Sequence, residues 1–291
     1  MTDVTAMTDV TRAMTDTTVE HAVPTAADHR DPADQHVSAR RRALGLVWVL
    51  SRKNFQVRYK RAALGVAWAV LQPLFQTALL SFVFLVVFPG TSKRIPHYPV
   101  FVLTGMLPWA YFSQAVSAAT TSVVDNSGLV RKVRIPSWVF PLSAVGGIAQ
   151  AFMASLLVMV VASIAVGEAS WRLLLLPVAL VLQTAFVASL GVLTCAFHVA
   201  MRDIKYLVDA FLMAFFYATP VLYSLERVPP HYRPIFAANP MGGILTLYRS
   251  ATLGRPVDWT GVYVSVGCTV VLFLLAWWAQ RARSGEFADL V

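Results

Sequence analysis

Charged residues are scarce in this sequence. Asp, Glu, Lys and Arg make up 13% of its 291 residues, whereas a soluble domain averages about 25%. Hydrophobic residues make up 57%, a balance that excludes an ordinary soluble domain and predicts an integral membrane protein. From residue 40 onward there are 22 Lys and Arg residues against 8 Asp and Glu. Because these cations adjoin long apolar runs, we expect them to face membrane lipids, with no nucleic acid as a partner.

Motifs for nucleotide, metal or nucleophile chemistry are also lacking. No lysine stands in a GxxxxGK[ST] loop, so the chain itself is not expected to bind ATP in the P-loop manner. HExxH and GxSxG do not occur, and the six His residues are scattered. Cys195 and Cys268 lie inside apolar runs without metal or redox spacing, and we interpret them as buried, inert thiols. We therefore predict no catalytic residue, metal or cofactor in this chain.

Residues that could couple transport to an ion gradient are similarly rare. Ion-coupled carriers usually keep ionisable side chains near the membrane midplane. The one acid inside a predicted span is Asp209, about one turn from the start of its helix. The energy for any transport is therefore expected to come from a separate polypeptide.

Apolar runs long enough to cross a bilayer occupy most of the chain. They lie at residues 62–88, 99–124, 138–166, 173–199, 206–224 and 259–280. The pattern predicts an all-α integral membrane protein with six transmembrane helices. Lys and Arg number 15 in the segments on one side and 7 on the other, so the positive-inside rule places both termini in the cytoplasm. The N-terminal region has no apolar segment, and no cleaved signal peptide is expected.

The N-terminal segment is polar and repetitive. Residues 1–39 contain MTDVT twice and MTDTT once, with seven acidic residues, and such a composition cannot form a core. We predict a disordered acidic cytoplasmic tail at 1–39, an amphipathic interfacial helix at 40–61, a six-span domain at 62–281 and a cytoplasmic tail at 282–291.

The segment at 40–61 has the pattern of a helix that lies in the membrane interface. One helical face carries Leu44, Val47, Trp48, Phe55 and Tyr59. Basic residues on the opposite face would lie among anionic headgroups. Arg58 falls beside the apolar face, so it requires a specific anionic partner or a bend away from the membrane.

The cytoplasmic connection at residues 125–137 predicts a short helix that is both basic and apolar. Its apolar face carries Leu129, Val130 and Val133, beside Arg131, Lys132 and Arg134. Pro136 is expected to end the helix. Two interpretations are open at this point: a solvated loop that obeys the positive-inside rule, or a docking element on the cytoplasmic surface. The next cytoplasmic connection, residues 201–206, predicts a tight turn in which Asp203 caps the fifth helix and Arg202 faces headgroups.

The outward connection at residues 224–259 contains five prolines. Between them, residues 241–253 are apolar enough for a short helix. We predict that this helix dips into the membrane without crossing it, which requires shielding by protein or by a water-filled cavity.

Aromatic residues are concentrated in the first, second and fifth predicted spans. The simpler interpretation is helix packing together with an interfacial aromatic belt. The alternative is a channel wall on which sugar rings slide, since aromatic faces stack weakly and repeatedly on sugar C–H groups. The candidate lining residues are Phe75, Phe82, Trp109, Phe211, Phe215 and Tyr217.

Several motifs in register with these spans resemble the permease subunits of ABC-2 type polysaccharide and polyol phosphate exporters, which include the O-antigen, teichoic acid and galactan exporters. The first motif consists of Lys53, Val57, Arg58, Tyr59, Lys60, Leu64, Gly65, Trp68, Leu71, Gln72, Pro73 and Leu74. NSGLVRKVRIP at residues 126–136, RD at 202–203 and NPM at 239–241 follow in the family's order. The resemblance covers residues 40–281.

The resemblance implies a homodimer with a path between its subunits, two copies of a separate P-loop ATPase that binds Mg-ATP, and a lipid-linked polysaccharide as cargo in the bacterial plasma membrane. It implies that ATPase coupling uses Asn126, Leu129, Val130, Arg131, Lys132, Val133, Arg134, Pro136, Arg202 and Asp203. It implies a substrate portal for the lipid headgroup at Arg52, Lys53, Arg58, Tyr59 and Lys60, where Arg58 meets a pyrophosphate or a neighbouring acid. It implies an outer gate of short re-entrant helices at Asn239, Pro240 and Met241.

Other functions stay open from the sequence. A small-molecule or drug efflux permease of the same superfamily would have a closed, compact cavity and no dependence on a glycan pathway. A membrane glycosyltransferase or acyltransferase is disfavoured by the missing carboxylate and His constellations. Arg outnumbers Lys 19 to 5, which is typical of a GC-rich genome. In an actinobacterium, the first candidate cargo would be galactan on a polyprenyl diphosphate carrier, with O-antigen or teichoic acid type glycans as alternatives.

Overall fold

The computed structural model describes residues 32–60, 63–88, 95–130 and 135–282, with only the backbone of residues 32–40. Throughout these ranges the regular secondary structure is helical, without a strand, which confirms the all-α prediction. The chain divides into the units Met1–Arg41 and Arg42–Val291. Of the first unit, the described part is the beginning of one helix.

The helices follow the predicted apolar runs closely. They are α1 (Pro32–Tyr59), α2 (Ala67–Phe82, continued by a π-helical turn at Val83–Val87), α3 (Tyr98–Asp125), α4 (Ser127–Val130), α5 (Val139–Ala165), α6 (Leu175–Ala200), α7 (Ile204–Ala218), α8 (Arg233–Ala237), α9 (Pro240–Leu253) and α10 (Trp259–Ala282). Short 3₁₀ helices at Trp171–Leu174 and Leu225–Arg227 precede α6 and α8.

Within the described ranges, four segments are long and apolar enough to cross a membrane: Ala67–Val87, Val139–Ala165, Trp171–Ala200 and Trp259–Ala282. Helix α7 has 15 residues, about 22 Å at 1.5 Å per residue, against a hydrocarbon core of about 30 Å. Helix α3 is 28 residues long, but Thr, Ser and Gln interrupt its apolar sequence. The six-span topology therefore stays a prediction, with four of its spans supported by length and composition.

Two helix ends differ from the sequence-based bounds, for local reasons. Helix α7 stops at Ala218 rather than near residue 224, because Pro220 disfavours helical geometry at Thr219, whose ψ is 135°. Asp203 occupies the first position before α7, but its side chain makes no capping hydrogen bond. Helix α1 begins at Pro32 rather than at residue 40, with proline at the position that helices favour for it. The rest of the predicted tail, residues 1–31, lies outside the described residues.

Helix α3 is the centre of the bundle. It packs against α2, α5, α6, α7 and α9, and the main apolar cluster includes Phe101, Leu107 and Phe112 from it. One buried polar network joins three helices of this core. Gln183 of α6 is fully buried; it donates to the carbonyl of Pro108 at 2.7 Å and accepts from the hydroxyl of Tyr248 at 2.8 Å. This network ties α3, α6 and α9 together.

Helix α9 is buried on nearly all sides: from Met241 to Leu253, every residue except Thr246 is buried. Asn239 begins it by accepting from the N–H groups of Met241 and Gly242 at 2.9 and 3.3 Å. Gly254 ends it in the left-handed conformation at φ 61°. At 14 residues, or about 21 Å, it is too short to span a bilayer.

Helix α1 packs closely against α5. A Cβ atom on Gly146 would lie 2.4 Å from Ser51 Oγ, and one on Gly147 would lie 3.1 Å from both Asn54 Cβ and the Ser51 carbonyl oxygen. Ser51 is 3% exposed, whereas Leu44 and Trp48 of the predicted apolar face are 61% and 64% exposed. The face of α1 that contacts α5 therefore carries small residues such as Ser51 and differs from the predicted apolar face.

Candidate functional groove

One face of α3 borders an open groove that runs along the bundle. The half-buried residues of α3 recur every three or four positions, as expected for one helical stripe. Beyond Trp109 they are Ala110, Ser113, Gln114, Ser117, Ala118, Thr121 and Val124. Three cavities that share lining residues follow this stripe towards Asp125 and α4.

The first cavity, which we call the aromatic cavity, has a volume of about 520 Å³ and lies between α2, α3 and α7. Trp109 of α3 and Phe216 and Tyr217 of α7 supply rings, and Trp109 and Phe216 meet edge to face with centroids 5.3 Å apart. Gln72 and Gln76 of α2 supply amides to the same space. Rings and amides together can contact both the apolar and the hydroxyl faces of a sugar.

The second cavity, the charged cavity, has a volume of about 620 Å³ and lies nearer to α4. Its lining includes two carboxylates, each held by a hydroxyl group of α3. Ser117 Oγ donates to Asp209 Oδ1 at 3.0 Å, and Thr121 Oγ1 donates to Asp125 Oδ2 at 2.6 Å. These bonds keep the two acids against the α3 wall.

The same cavity carries two cations on its other walls. Arg58, from the end of α1, donates from Nη1 to Gln114 Oε1 at 3.1 Å. Lys205, from the first turn of α7, also lines the cavity. Within the described residues neither cation is bonded to Asp125 or Asp209. Both positive charges are thus available to an anionic group.

The third cavity, of about 390 Å³, extends the groove below α1 to α5. Lys53 and Arg58 of α1 line it together with Asp125 and Asn126. Of the predicted portal residues, Lys53 and Arg58 therefore face the groove. Arg52 and Lys60 are exposed outside it, and Tyr59 is half-buried with its ring against Phe55 at 5.5 Å.

The predicted channel residues divide into two groups. Trp109 and Tyr217 line the aromatic cavity. Phe75, Phe82 and Phe211 are 73%, 60% and 51% exposed and do not line it. Phe215 packs between Trp109 and Phe211, with centroids 6.1 and 5.0 Å away. Sequence reasoning missed Gln114, Ser117, Thr121 and Lys205; the recurrence of polar residues at helical spacing on α3 was the available signal.

The predicted coupling segment lies at the end of the bundle where α4 meets α10. Leu129 and Val130 pack against a small apolar cluster whose buried members are Val123, Phe140, Cys195, Ala196, Val199 and Ala279. Asn126 Nδ2 donates to the Ser122 carbonyl oxygen at 2.7 Å and so fixes the turn between α3 and α4. Beyond Pro136, Ser137 Oγ donates to Gln280 Oε1 of α10 at 2.6 Å. Arg131, Lys132, Val133 and Arg134 lie outside the described residues, and Arg202 and Asp203 are exposed.

The predicted gate residues lie at the opposite end of the bundle. Asn239, Pro240 and Met241 form the start of α9, where Asn239 and Met241 are buried. Asn239 Nδ2 also donates to the Ala218 carbonyl oxygen at 3.1 Å and to Thr219 Oγ1 at 3.0 Å. The start of α9 is thereby joined to the end of α7.

These features define a class of protein. Among the described residues, long apolar helices pack around α3, and one face of α3 borders a groove that is charged at one end and aromatic further along. In the part of the chain that is described, no three His, Cys, Asp or Glu side chains come together as a metal site. The apolar helices make this a multi-pass helical membrane protein.

Comparison with known proteins assigns the family. The profile of the family described as "ABC-2 type transporter" matches residues 45–253, and the chain belongs to this family. It is 31% identical over 251 residues to the O-antigen export system permease protein RfbA of Myxococcus xanthus. This match covers 85% of this chain and 95% of the relative. Two proteins of the same name from Klebsiella pneumoniae are 28% and 26% identical over 249 and 224 residues. These matches cover 84% and 76% of this chain and 95% and 84% of the relatives. The resemblance read from the sequence motifs is confirmed at the level of the family.

Proposed function

We propose that this chain is the permease subunit of an ABC exporter that moves a lipid-linked surface polysaccharide from the cytoplasmic to the outer face of the bacterial plasma membrane. The observation that carries the proposal is the continuous groove, in which free cations near α4 lead to rings and amides further along. The relatives named O-antigen export system permease support the cargo class. A drug-sized substrate would need neither a site for a charged headgroup nor a wall of rings and amides beyond it.

The proposed topology has six spans, formed by α2, α3, α5, α6, α7 and α10, with α4 on the cytoplasmic side. The positive-inside distribution of Lys and Arg supports this orientation. Helix α9 then enters from the outside as a re-entrant element, shielded by α3, α6 and α10. In this proposal, an interfacial helix ends at Tyr59 and is followed by the membrane-spanning domain. Cytoplasmic segments precede the helix and follow the spanning domain.

Energy enters through a partner. Two copies of a separate ATPase, loaded with Mg-ATP, are proposed to press on the segment at residues 126–136 of each subunit in a homodimer. Leu129 and Val130 pass this force to the apolar cluster below α4, which joins the ends of α5, α6 and α10. Arg202 and Asp203, exposed at the neighbouring turn, extend the docking surface.

The headgroup of the cargo is proposed to enter at the charged cavity. Its phosphate oxygens replace water around Arg58 and Lys205, since guanidinium and ammonium groups bind phosphate by charge-assisted hydrogen bonds. The attached sugars then meet Trp109 and Tyr217 in the aromatic cavity. Galactan on a polyprenyl diphosphate carrier and an O-antigen type glycan are the candidate cargoes, and the lipid-linked glycan that accumulates when the chain is depleted identifies which one it is.

Reversing two charges tests the coupling role. The variant Arg131→Glu with Lys132→Glu should insert normally but lose ATPase association and surface glycan. The matched control, Lys93→Glu with Arg94→Glu, reverses an adjacent basic pair in the predicted outward connection at residues 89–98 and should keep ATPase association. Unchanged export and unchanged association in the first variant would remove the coupling assignment.

A single substitution tests the headgroup role. Arg58→Ala should reduce substrate-stimulated ATP hydrolysis about tenfold or more, as the loss of a charge-assisted contact predicts, and should leave assembly intact. Arg52→Ala is the matched control, because Arg52 is exposed outside the groove. An equal loss of hydrolysis and assembly in Arg58→Ala would make the residue structural.

A further inference from the structure

A separate cavity of about 620 Å³ lies at the end of the bundle opposite α4. It is formed by the start of α3, the α5–α6 connection, the α7–α8 connection, α9 and the link between α9 and α10. It shares no lining residue with the groove on α3. We call it the α9 cavity. Its volume is within the range of about 300–1,000 Å³ that small-ligand sites occupy.

Two guanidinium groups line the α9 cavity above one phenyl ring. The Cζ atoms of Arg249 and Arg255 lie 3.7 and 5.0 Å from the ring centroid of Phe101. Arg249 is 8% exposed; its Nη2 donates to the Val221 carbonyl oxygen at 2.8 Å, and its Nε has no hydrogen-bond partner among the described residues. No carboxylate is ion-paired with either guanidinium in the described part of the chain.

Carboxylates line the same cavity. Asp258 is already engaged, because its Oδ1 accepts from the N–H of Gly261 at 3.2 Å at the start of α10. The side-chain carboxylates of Glu168 and Glu226 accept no hydrogen bond from any described residue. Glu168 is placed beside the α9–α10 link, since its Oε2 lies 3.3 Å from the position of a Cβ atom on Gly254.

The charges select the class of ligand. The lining contains two guanidinium groups and three carboxylates. The cavity therefore has no excess of positive charge to attract a simple anion, and a simple cation would be placed close to two arginines that repel it. Arg offers only donors and ionised Glu only acceptors. A sugar hydroxyl is both a donor and an acceptor, so a neutral polyol can satisfy Arg255, Glu168 and Glu226 together.

The walls of the α9 cavity are fixed before any ligand arrives. Arg172 Nη1 donates to the carbonyl oxygens of Gly254 and, at 3.3 Å, of Arg255. The N–H of Asp258 donates to Thr246 Oγ1 at 3.3 Å. These bonds hold the α9–α10 link against α9 and the start of α6. A preformed site loses less conformational freedom on binding, which favours affinity.

We propose that the α9 cavity binds a neutral saccharide segment through hydrogen bonds to Arg255, Glu168 and Glu226, and, resting on the proposed function, that this segment belongs to the glycan as it leaves the permease. The site lies at the proposed outer face, apart from the headgroup site near α4. It gives the emerging polymer a point of contact on each subunit.

Binding to the full chain in complex with its ATPase tests the proposal. The probe is the host's own surface polysaccharide, released from its lipid by mild acid and cut to short neutral oligosaccharides. Glu168→Gln combined with Arg255→Gln should raise the Kd about tenfold or more, because both charge-assisted contacts are weakened. Arg227→Gln is the matched control, since this exposed arginine of the same end does not line the cavity, and its Kd should equal that of the unmodified complex.

Three results would overturn the proposal: no binding to the unmodified complex, an unchanged Kd in the double variant, or displacement of the oligosaccharide by inorganic phosphate, which would make the cavity an anion site. Depletion of the chain in cells separates this failure from a failure of the proposed function. If surface glycan disappears on depletion while binding is insensitive to the double variant, the saccharide site alone is wrong. If depletion leaves surface glycan unchanged, the export function is wrong as well.

Discussion

Two adjacent glycines of α9 allow a sharp test of how closely α9 packs against α10. An added Cβ on Gly243 would lie 2.0 Å from the Gly261 carbonyl oxygen and 2.3 Å from Ser265 Oγ. An added Cβ on Gly242 would meet the ring of Pro220 at 3.6 Å, which is ordinary contact. The variants Gly243→Ala and Gly242→Ala therefore introduce the same methyl group into very different surroundings.

The magnitude follows from these distances. Since ordinary contact begins at 3.4 Å, Gly243→Ala must separate α9 from α10 by more than 1 Å. Overpacking of this kind costs about 1–3 kcal/mol. The separation also weakens the bond that Ser265 Oγ donates across to the carbonyl of Pro240 at 2.6 Å, which is worth about 1 kcal/mol. Helix propensity returns at most about 1 kcal/mol at either glycine, so Gly243→Ala loses about 1–3 kcal/mol in all.

Thermal unfolding of the purified chain in detergent measures the difference. We expect the Tm of Gly243→Ala to fall about 5–15 °C below that of Gly242→Ala, and Gly242→Ala to unfold at or slightly above the temperature of the unmodified protein. The monodisperse size-exclusion peak that survives heating is a suitable readout. Equal Tm values for the two variants would refute the close approach of α9 and α10.

Three further substitutions probe the bonds around α9 by the same unfolding measurement. Gln183→Leu should cost about 1–3 kcal/mol because it leaves the Tyr248 hydroxyl buried without an acceptor; adding Tyr248→Phe should recover part of that loss, and simple additivity of the two changes would contradict the coupling. Asn239→Ala should cost about 2 kcal/mol and Asn239→Ser less, since serine keeps the capping oxygen but not the amide donors; equal losses would argue against the cap. Gly254→Ala should cost about 1 kcal/mol and Gly254→Asn less, because asparagine tolerates the positive φ of 61° better than alanine; an unchanged Tm in Gly254→Ala would deny the left-handed end of α9.

The helices could be predicted from sequence because apolar length is a local property. The end of α7 could also have been predicted from Pro220. The predicted helix was too long because the apolar run continues to residue 224. The start of α1 at Pro32 was not predictable from its polar composition. Helix α9 was predicted because prolines before and after it isolate an apolar segment that is too short to span a bilayer.

The site was less accessible to sequence reasoning. Which face of α3 borders the groove depends on where α2 and α7 pack, and both of its faces contain small and polar residues. Pairings such as Ser117 with Asp209 join residues 92 positions apart. Aromatic residues gave an ambiguous signal for the same reason: Trp109 and Phe75 are equally suited to a sugar, yet only tertiary packing decides that Trp109 faces the groove.

The glycine contacts between α1 and α5 have a mechanical consequence. Because Gly146 and Gly147 lie against Ser51 and Asn54, α1 cannot rotate independently of α5 at that point, and the two helices move as one rigid unit. Under the proposed function, a tilt of α5 driven by the partner ATPase would therefore also displace Arg58 near the end of α1 and couple that motion to release of the headgroup.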